Sequence, residues 1–218
     1  VNIVEIPFGS VGVDCLSPVS VERAKELAAY VFPGTRTGIA FVERYLDNLA
    51  IDEIAGIHAA GLGVSPIAEA RISGWNDIAG GTDGLRAATR ARTLKLPIGQ
   101  PLRLHLGCDL EGMTCSAADA MAYGEAWCSS PDAAGYAQLG YVGAGVPLTP
   151  GQLFSLPFTA YQRGLSNVQQ VETCDYCMWQ LFPTQTLLLA SGPFQVDVDV
   201  VCRDKRGSPG RLPTMVIA

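Results

Sequence analysis

Short apolar runs alternate with amphipathic stretches along the first 130 residues, a pattern that predicts repeated β-α units. Val11–Asp14 reads as a strand, and Ser20 as the cap of a helix over Val21–Val31 with Val21, Ala24, Ala28 and Val31 on one stripe. Ile39–Tyr45 is a second strand. Ile51–Ala60 is a second helix, with Gly61 just past its end. Leu62–Glu69 is a third strand, followed by a helix over Leu85–Leu94. Leu102–Glu111 is a fourth strand, and Ser116 with Asp119 opens a helix reaching Trp127.

Helical signals then fade. Gly135–Tyr141, Phe158–Gln162, Cys177–Phe182 and Phe194–Val201 read as strands with little helix between them. About eight strands with helices mainly in the first half predict an α/β fold, an irregular (β/α) TIM-like barrel. The 218 residues form a single domain in this reading, with its core over 11–201 and a peripheral C-terminal arm over 203–218.

The fourth strand carries the chemistry. Leu102, Leu104, Leu106, Cys108 and Leu110 alternate with Arg103, His105, Gly107, Asp109 and Glu111. Side chains alternate faces, so Asp109 and Glu111 share one face about 7 Å apart. In a β-α barrel the apolar set meets the helices, and the polar set meets the axis at the C-terminal mouth. A solvated edge strand gives the same alternation, but the helix that follows argues for a covered sheet.

Asp14 and Glu69 end two other strands, and Asp197 and Asp199 share a face of the last. Like charges gathered this way are costly to bury unless protonated, paired or bound, and they raise one another's pKa as a general acid requires. Arg44 and Tyr45 close the second strand beside Glu43, as a positive partner and a hydroxyl for the same rim. Paired carboxylates with aromatic neighbours suit glycosidic cleavage, one acid protonating the leaving oxygen and the other stabilising the cationic centre or activating water. Tyr45, Tyr141, Tyr161 and Trp179 are candidate sugar platforms, though each also suits the core. A divalent cation held by the same carboxylates is the chemical rival.

His58, near a helix end, is expected at the surface or as a cap. His105, below Glu111, is expected to serve as a hydrogen-bonding residue of the barrel core. No G-x-S-x-G is present, and Gly80-Gly81 and Gly143-x-Gly145 lack a nucleotide-binding pattern. No metal ligand set and no cofactor is called for.

Charge and composition narrow the partners. Hydrophobic residues make up 48% and charged residues 17%, too apolar for a disordered chain. The net charge of −6 lacks the basic excess of a non-specific nucleic-acid binder. The longest apolar stretches, such as Thr186–Ala190, are far short of a membrane span. No signal-peptide pattern opens the sequence, so a leader is expected to be absent or removed. The seven cysteines read as buried thiols or as some disulfides, and Cys174-Asp-Tyr-Cys177 has no second pair to complete a zinc site. The oligomeric state is left open.

Gly12-Val-Asp14, Asp109-Leu-Glu111, Trp179-Gln180 and Val196-Asp-Val-Asp199 come in the order seen in glycoside hydrolase family 25 lysozymes. Phe41-Val-Glu-Arg-Tyr-Leu46 and Ile67-Ala-Glu69 resemble more closely the glycoside-hydrolase-like TIM-barrel domain family related to them. The resemblance implies an irregular barrel and muramidase-like hydrolysis of peptidoglycan, in a secreted or cell-wall-directed protein. It assigns Glu111 as general acid and Asp109 as its neighbour, with Asp14 and Asp197 as the acids of the first and last strands. Glu69 belongs to the related family's pattern, which implies a substrate-binding or catalytic role; Tyr45, Arg44, Trp179, Gln180, Tyr141 and Asp199 are expected with it around the substrate. The chain departs from the lysozyme pattern at Leu181, where an aromatic is usual, and at Asp199, where Asn is usual. A glycan-binding barrel without turnover is the alternative, and a metal-dependent hydrolase the next.

Overall fold

The computed structural model describes residues 2–69, 71–99, 102–164, 176–202 and 211–216. Its strands are β1 (Asn2–Pro7), β2 (Val11–Asp14), β3 (Ile39–Tyr45), β4 (Gly63–Ala68), β5 (His105–Asp109), β6 (Ala137–Val142), β7 (Ala160–Arg163), β8 (Met178–Leu189), β9 (Gly192–Val201) and β10 (Arg211–Val216). Its helices are α1 (Val21–Ala29), α2 (Ile51–Ala59), α3 (Asp77–Thr93), α4 (Ala117–Ala133) and the single turn α5 (Pro150–Leu153). The four long helices follow β2 to β5 in turn, so the helical cover lies in the first half of the chain.

β4-β3-β2-β9-β8-β7-β6-β5 closes into an eight-stranded barrel through the β4–β5 pairing. β2 to β8 run parallel within their neighbouring pairs, and β9 enters antiparallel between β8 and β2. Pairing of β4 with β5 is confined to Ile67–Ala68 with Gly107–Cys108. Lower on β4, Val64 pairs instead with Met215 of β10, itself antiparallel to β1. A β1–β10 ribbon thus enters the gap where β4 and β5 part. Residues 211–216, expected in a peripheral arm, are therefore a sheet strand, whereas 203–210 and Cys174 lie outside the described residues.

Several boundaries differ from expectation for physical reasons. α3 starts at Asp77 rather than Leu85, capped by Asn76 Oδ1, which accepts from the Ala79 N–H at 2.9 Å. Its glycines weaken the helical signal but let α3 lie against α4. A Cβ at Gly80 or Gly84 would sit 2.2 Å from the carbonyl oxygen of Tyr123 or Trp127. α4 runs to Ala133 and carries Pro131 within it. β8 and β9 are longer than expected and form a hairpin that extends beyond β7. Its tip is tied to α1 by Ser191, whose N–H and hydroxyl donate to Glu26 at 2.9 and 2.6 Å.

Two apolar clusters result. The larger fills the layer between sheet and helices, with Val13, Val42, Val64, Leu106 and Val142 facing outward. The smaller, comprising Ile6, Phe41, Leu139, Ala160, Cys177, Met178 and Val201, plugs the N-terminal end of the barrel interior. His58 is buried on α2, not at the surface. His105 is buried too, with Nε2 3.1 Å from Thr159 Oγ1. Cys15, Cys108 and Cys128 are buried thiols.

Candidate active site

Above the apolar plug the inward positions turn polar. Register aligns Asp14 with Asp197 on β9 and with Glu43 on β3, and Glu43 with Ser65 on β4. Asp197, Asp14, Glu43 and Ser65 therefore form one row across four adjacent strands, spaced about 4.8 Å apart. Asp199 lies deeper on β9, opposite Gly12. From across the barrel, Gln162 of β7 donates through Nε2 to Glu43 Oε2 at 2.6 Å and to Asp199 Oδ1 at 3.3 Å. One amide spans two buried carboxyls.

Their surroundings favour the protonated form of these acids. Burial, then the charge of Asp197, pushes Asp14 up to about 7, against the pull of Arg44 and the Cys15 N–H. Burial, then Asp14, pushes Glu43 up to about 8, against hydrogen bonds from Gln162 and Ser65. Burial also holds Asp199 well above the usual carboxylate range, with Glu43, Asp14 and Asp197 adding to it. Asp14, Glu43 and Asp199 each keep one buried carboxyl oxygen without a hydrogen bond among the described residues, which disfavours the charged form.

The two remaining acids come from the end of β5. Asp109 is buried, and its Oδ1 accepts the Glu111 N–H at 2.8 Å. Glu111 lies past the strand end, half-buried, with Oε1 3.4 Å from the donating Ala144 N–H. Gly143 makes room for it, since a Cβ there would fall 2.5 Å from the Glu111 carboxyl carbon. Two tyrosines stand among these groups. Burial, then Asp14, Asp109, Glu43 and Glu111, raises the Tyr45 hydroxyl above its ordinary range. Burial, then Glu111, Asp109, Asp199 and Asp14, does the same to Tyr141, whose hydroxyl donates to Gln180 Oε1 at 3.2 Å. Beside Asp14 an open cavity of about 310 Å³ is lined by Tyr45, Thr184, Gln195 and Asp197.

The structure thus brings together Asp14, Asp109, Glu111, Asp197, Asp199, Tyr45, Tyr141 and Gln180. Three expected members stand elsewhere. Arg44 alternates with Glu43 and Tyr45, so it points outward. Fully buried, it donates to Glu53 at 2.7 Å and to the carbonyls of Cys15 and Leu16, tying β3 to α2 and to the loop after β2. Trp179 lies between inward Met178 and Gln180 and so occupies the outer face of β8, with the Arg163 guanidinium 5.3 Å over its ring. Glu69 is exposed past the end of β4, in a separate depression with Asp47, Arg71 and Arg86. Tyr161, a candidate platform, is core, its hydroxyl donating to Leu153 O at 2.7 Å.

The sequence places Glu43 at the rim without a role of its own and gives Gln162 none. Glu43 was legible, since Phe41, Glu43 and Tyr45 alternate as the residues of β5 do. Gln162 carried no comparable signal. Among the described residues, no group of three or more His, Cys, Asp or Glu is arranged to hold a metal ion, and no helix is long and apolar enough to cross a membrane.

No family model and no curated protein matches the chain. Solved structures share its fold. A Tat-secreted protein of Mycobacterium tuberculosis, crystallised with L-tartrate, superposes with TM-score 0.62 at 13% identity, over 89% of this chain and 96% of that one. The spore cortex lytic enzyme of Clostridium perfringens gives 0.60 at 12% identity, over 93% of this chain and 70% of that one. The modular autolysin of Streptococcus pneumoniae, crystallised with a synthetic peptidoglycan ligand, gives 0.61 at 12% identity, over 88% of this chain and 46% of that one. At these identities the likeness establishes the barrel fold.

Proposed function

We propose that the chain is a glycoside hydrolase acting on a cell-wall polysaccharide, peptidoglycan, by carboxylate acid/base catalysis in the manner of a muramidase. The observation that carries this reading is the convergence of Asp14, Asp109, Glu111 and Asp197 with two tyrosines at the open end of a barrel whose other end is plugged. Glycosidic cleavage needs a carboxyl that delivers a proton and a second that faces the cationic centre. Glu111 is the deliverer, standing at the rim with its backbone held by Asp109. Asp14 and Asp197 flank the cavity from the opposite side, where the sugar ring is received. Tyr45 and Tyr141 stand between the two sets and offer hydroxyls to the ring. The fold shared with a spore cortex lytic enzyme and an autolysin supports the same substrate class.

The test is release of reducing ends from purified peptidoglycan by wild type, Glu111→Gln and Asp14→Asn. Loss of a positioned proton donor costs about 100-fold or more, so Glu111→Gln is expected to fall at least that far. Equal turnover by wild type and Glu111→Gln overturns the assignment of Glu111. Saccharide binding by a wild type that releases no reducing ends replaces hydrolysis with glycan binding.

A further inference from the structure

The exposed Glu69 and its surroundings form a second feature on the same rim, separate from the carboxylates of the barrel axis. A depression of about 370 Å³ is lined by Asp47, Glu69, Arg71, Ile72, Asp83 and Arg86. Parallel register locates it. Tyr45 pairs with Ile67 and Ala68 with Cys108, so Asp47 and Glu69 emerge just beyond the strand ends that carry Tyr45 and Asp109. The depression therefore adjoins the mouth, on the side of β3, β4 and α3.

Its charges are organised by one buried group. Asp83 accepts the Tyr123 hydroxyl at 3.0 Å and faces Arg71 at 3.4 Å and Arg86 at 3.9 Å. Arg71 also donates to the Gly74 carbonyl at 3.2 Å, and Trp75, packed edge-on against Tyr123, anchors the same loop. The glycine contacts between α3 and α4 fix this base, because α3 carries Asp83 and α4 carries Tyr123. Arg86 is otherwise uncommitted. Its contacts with Asp47 and Asp83 are both 3.9 Å, beyond hydrogen-bond distance, and among the described residues its guanidinium makes no hydrogen bond. Ile72, 95% exposed, stands at the edge of the same depression.

The arrangement presents a guanidinium fork with unused donors beside exposed carboxylates and an apolar side chain. Guanidinium groups take carboxylates in paired hydrogen bonds, and Glu69 and Asp47 complement an ammonium. A ligand bearing a carboxylate, an amine and short alkyl groups matches all three features; a neutral sugar can hydrogen-bond the same side chains but neutralises neither sign of charge and leaves Ile72 uncovered. We propose that this depression is the subsite for the peptide borne by the glycan, with Arg86 and Arg71 holding a peptide carboxylate and Glu69 an amine. The inference rests on the peptidoglycan reading, and it names the part of that substrate bound beside the barrel mouth.

The test titrates the full chain with three probes: the muramoyl disaccharide, the same disaccharide carrying its tetrapeptide, and the free tetrapeptide. Wild type is expected to bind the peptide-bearing disaccharide about fivefold more tightly than the bare one, the scale of a few solvent-exposed charge contacts. Arg86→Gln and Glu69→Gln are each expected to reduce that ratio, the double variant bringing it to about one. Equal affinities in wild type, or a preference surviving the double variant, overturn the proposal. The free tetrapeptide separates the two readings. If it binds in wild type and is lost in the double variant while the disaccharide core adds no affinity, the subsite stands and the glycan reading falls. If it fails to bind and the peptide adds nothing to the disaccharide, the subsite falls alone.

Discussion

The two ends of the barrel interior follow one geometric rule and have opposite chemistry. At the N-terminal end, inward positions are Phe41, Leu139, Met178 and Val201, and they pack into a dry plug. Two positions further along the same strands stand Glu43, Tyr141, Gln180 and, on the antiparallel β9, Asp199. One strand repeat separates an oil-like floor from a cluster of acids. The floor therefore acts on the acids: it keeps water from approaching beneath them, and that desolvation is the leading cause of the raised values of Asp14, Glu43 and Asp199.

The strongest way to break this contrast is to open the floor. Phe41 is fully buried, and its ring lies so close to β2 that a Cβ on Gly12 would fall 2.2 Å from it. Phe41→Ala is expected to cost about 3–5 kcal/mol, read as a lowered urea midpoint. Glu43 then gains access to water, and its titration moves down toward the ordinary range of a glutamate. A destabilised variant in which Glu43 still titrates near 8, followed by carboxyl NMR, would separate the floor from the acids.

The next effect is a pH dependence of stability. The folded-state values of about 7 for Asp14 and about 8 for Glu43 exceed the ordinary 3.8 and 4.5 expected once the chain unfolds. Between about pH 4 and 8 these two groups hold more protons in the folded chain than in the unfolded one, so their contribution to stability declines as pH rises. The contribution is complete below the ordinary values and is lost as pH passes through 7 and 8. Thermal unfolding is expected to show Tm dropping between pH 5 and pH 8, and Glu43→Gln, which cannot ionise, to flatten that decline. A wild-type Tm that climbs across this window contradicts protonated acids above the floor.

These residues also show how far the chain could be read without coordinates. The β-α alternation of the first half was legible because each of β2 to β5 is followed by a helix, and the parity of β5 turns Asp109 toward the barrel interior. Parity also separates Arg44 from Glu43 and Tyr45. Taking those three as one rim group puts a buried structural tie on the substrate side and gives the central acid no role of its own. Glu69 escaped because the strand ends at Ala68 and alternation stops with it. The row of Asp197, Asp14, Glu43 and Ser65 was not legible. It depends on β9 entering antiparallel beside β2, a long-range pairing that no local pattern encodes. The β1–β10 ribbon was hidden for the same reason, since it fills a gap that exists only after the barrel closes.

A smaller effect tests the rim itself. Gly143 is the seat of Glu111, and Gly143→Ala introduces a methyl where the Glu111 side chain lies. The carboxyl must shift to relieve the overlap. A displaced proton donor loses alignment with the leaving oxygen, and turnover on peptidoglycan is expected to fall about tenfold. KM is expected to change little, because the cavity walls at Asp14, Thr184 and Gln195 stand across the mouth. Unchanged turnover would show that Glu111 does not need this seat.

The smallest effect sharpens the boundary between inside and outside. Trp179 and Gln180 are adjacent in sequence, yet alternation along β8 sends Gln180 to Tyr141 in the barrel and Trp179 to the outer face under Arg163. Trp179→Ala is expected to cost about 1 kcal/mol of stability through lost packing and the cation–π contact, with no change in affinity for a glycan fragment. Gln180→Ala, on the inner face, frees the Tyr141 hydroxyl and is expected to weaken that affinity measurably. Calorimetric titration of both variants reads the difference directly. If Trp179→Ala weakens glycan binding and Gln180→Ala does not, the sugar lies on the outside of β8 and the row of acids on the axis is not its receptor.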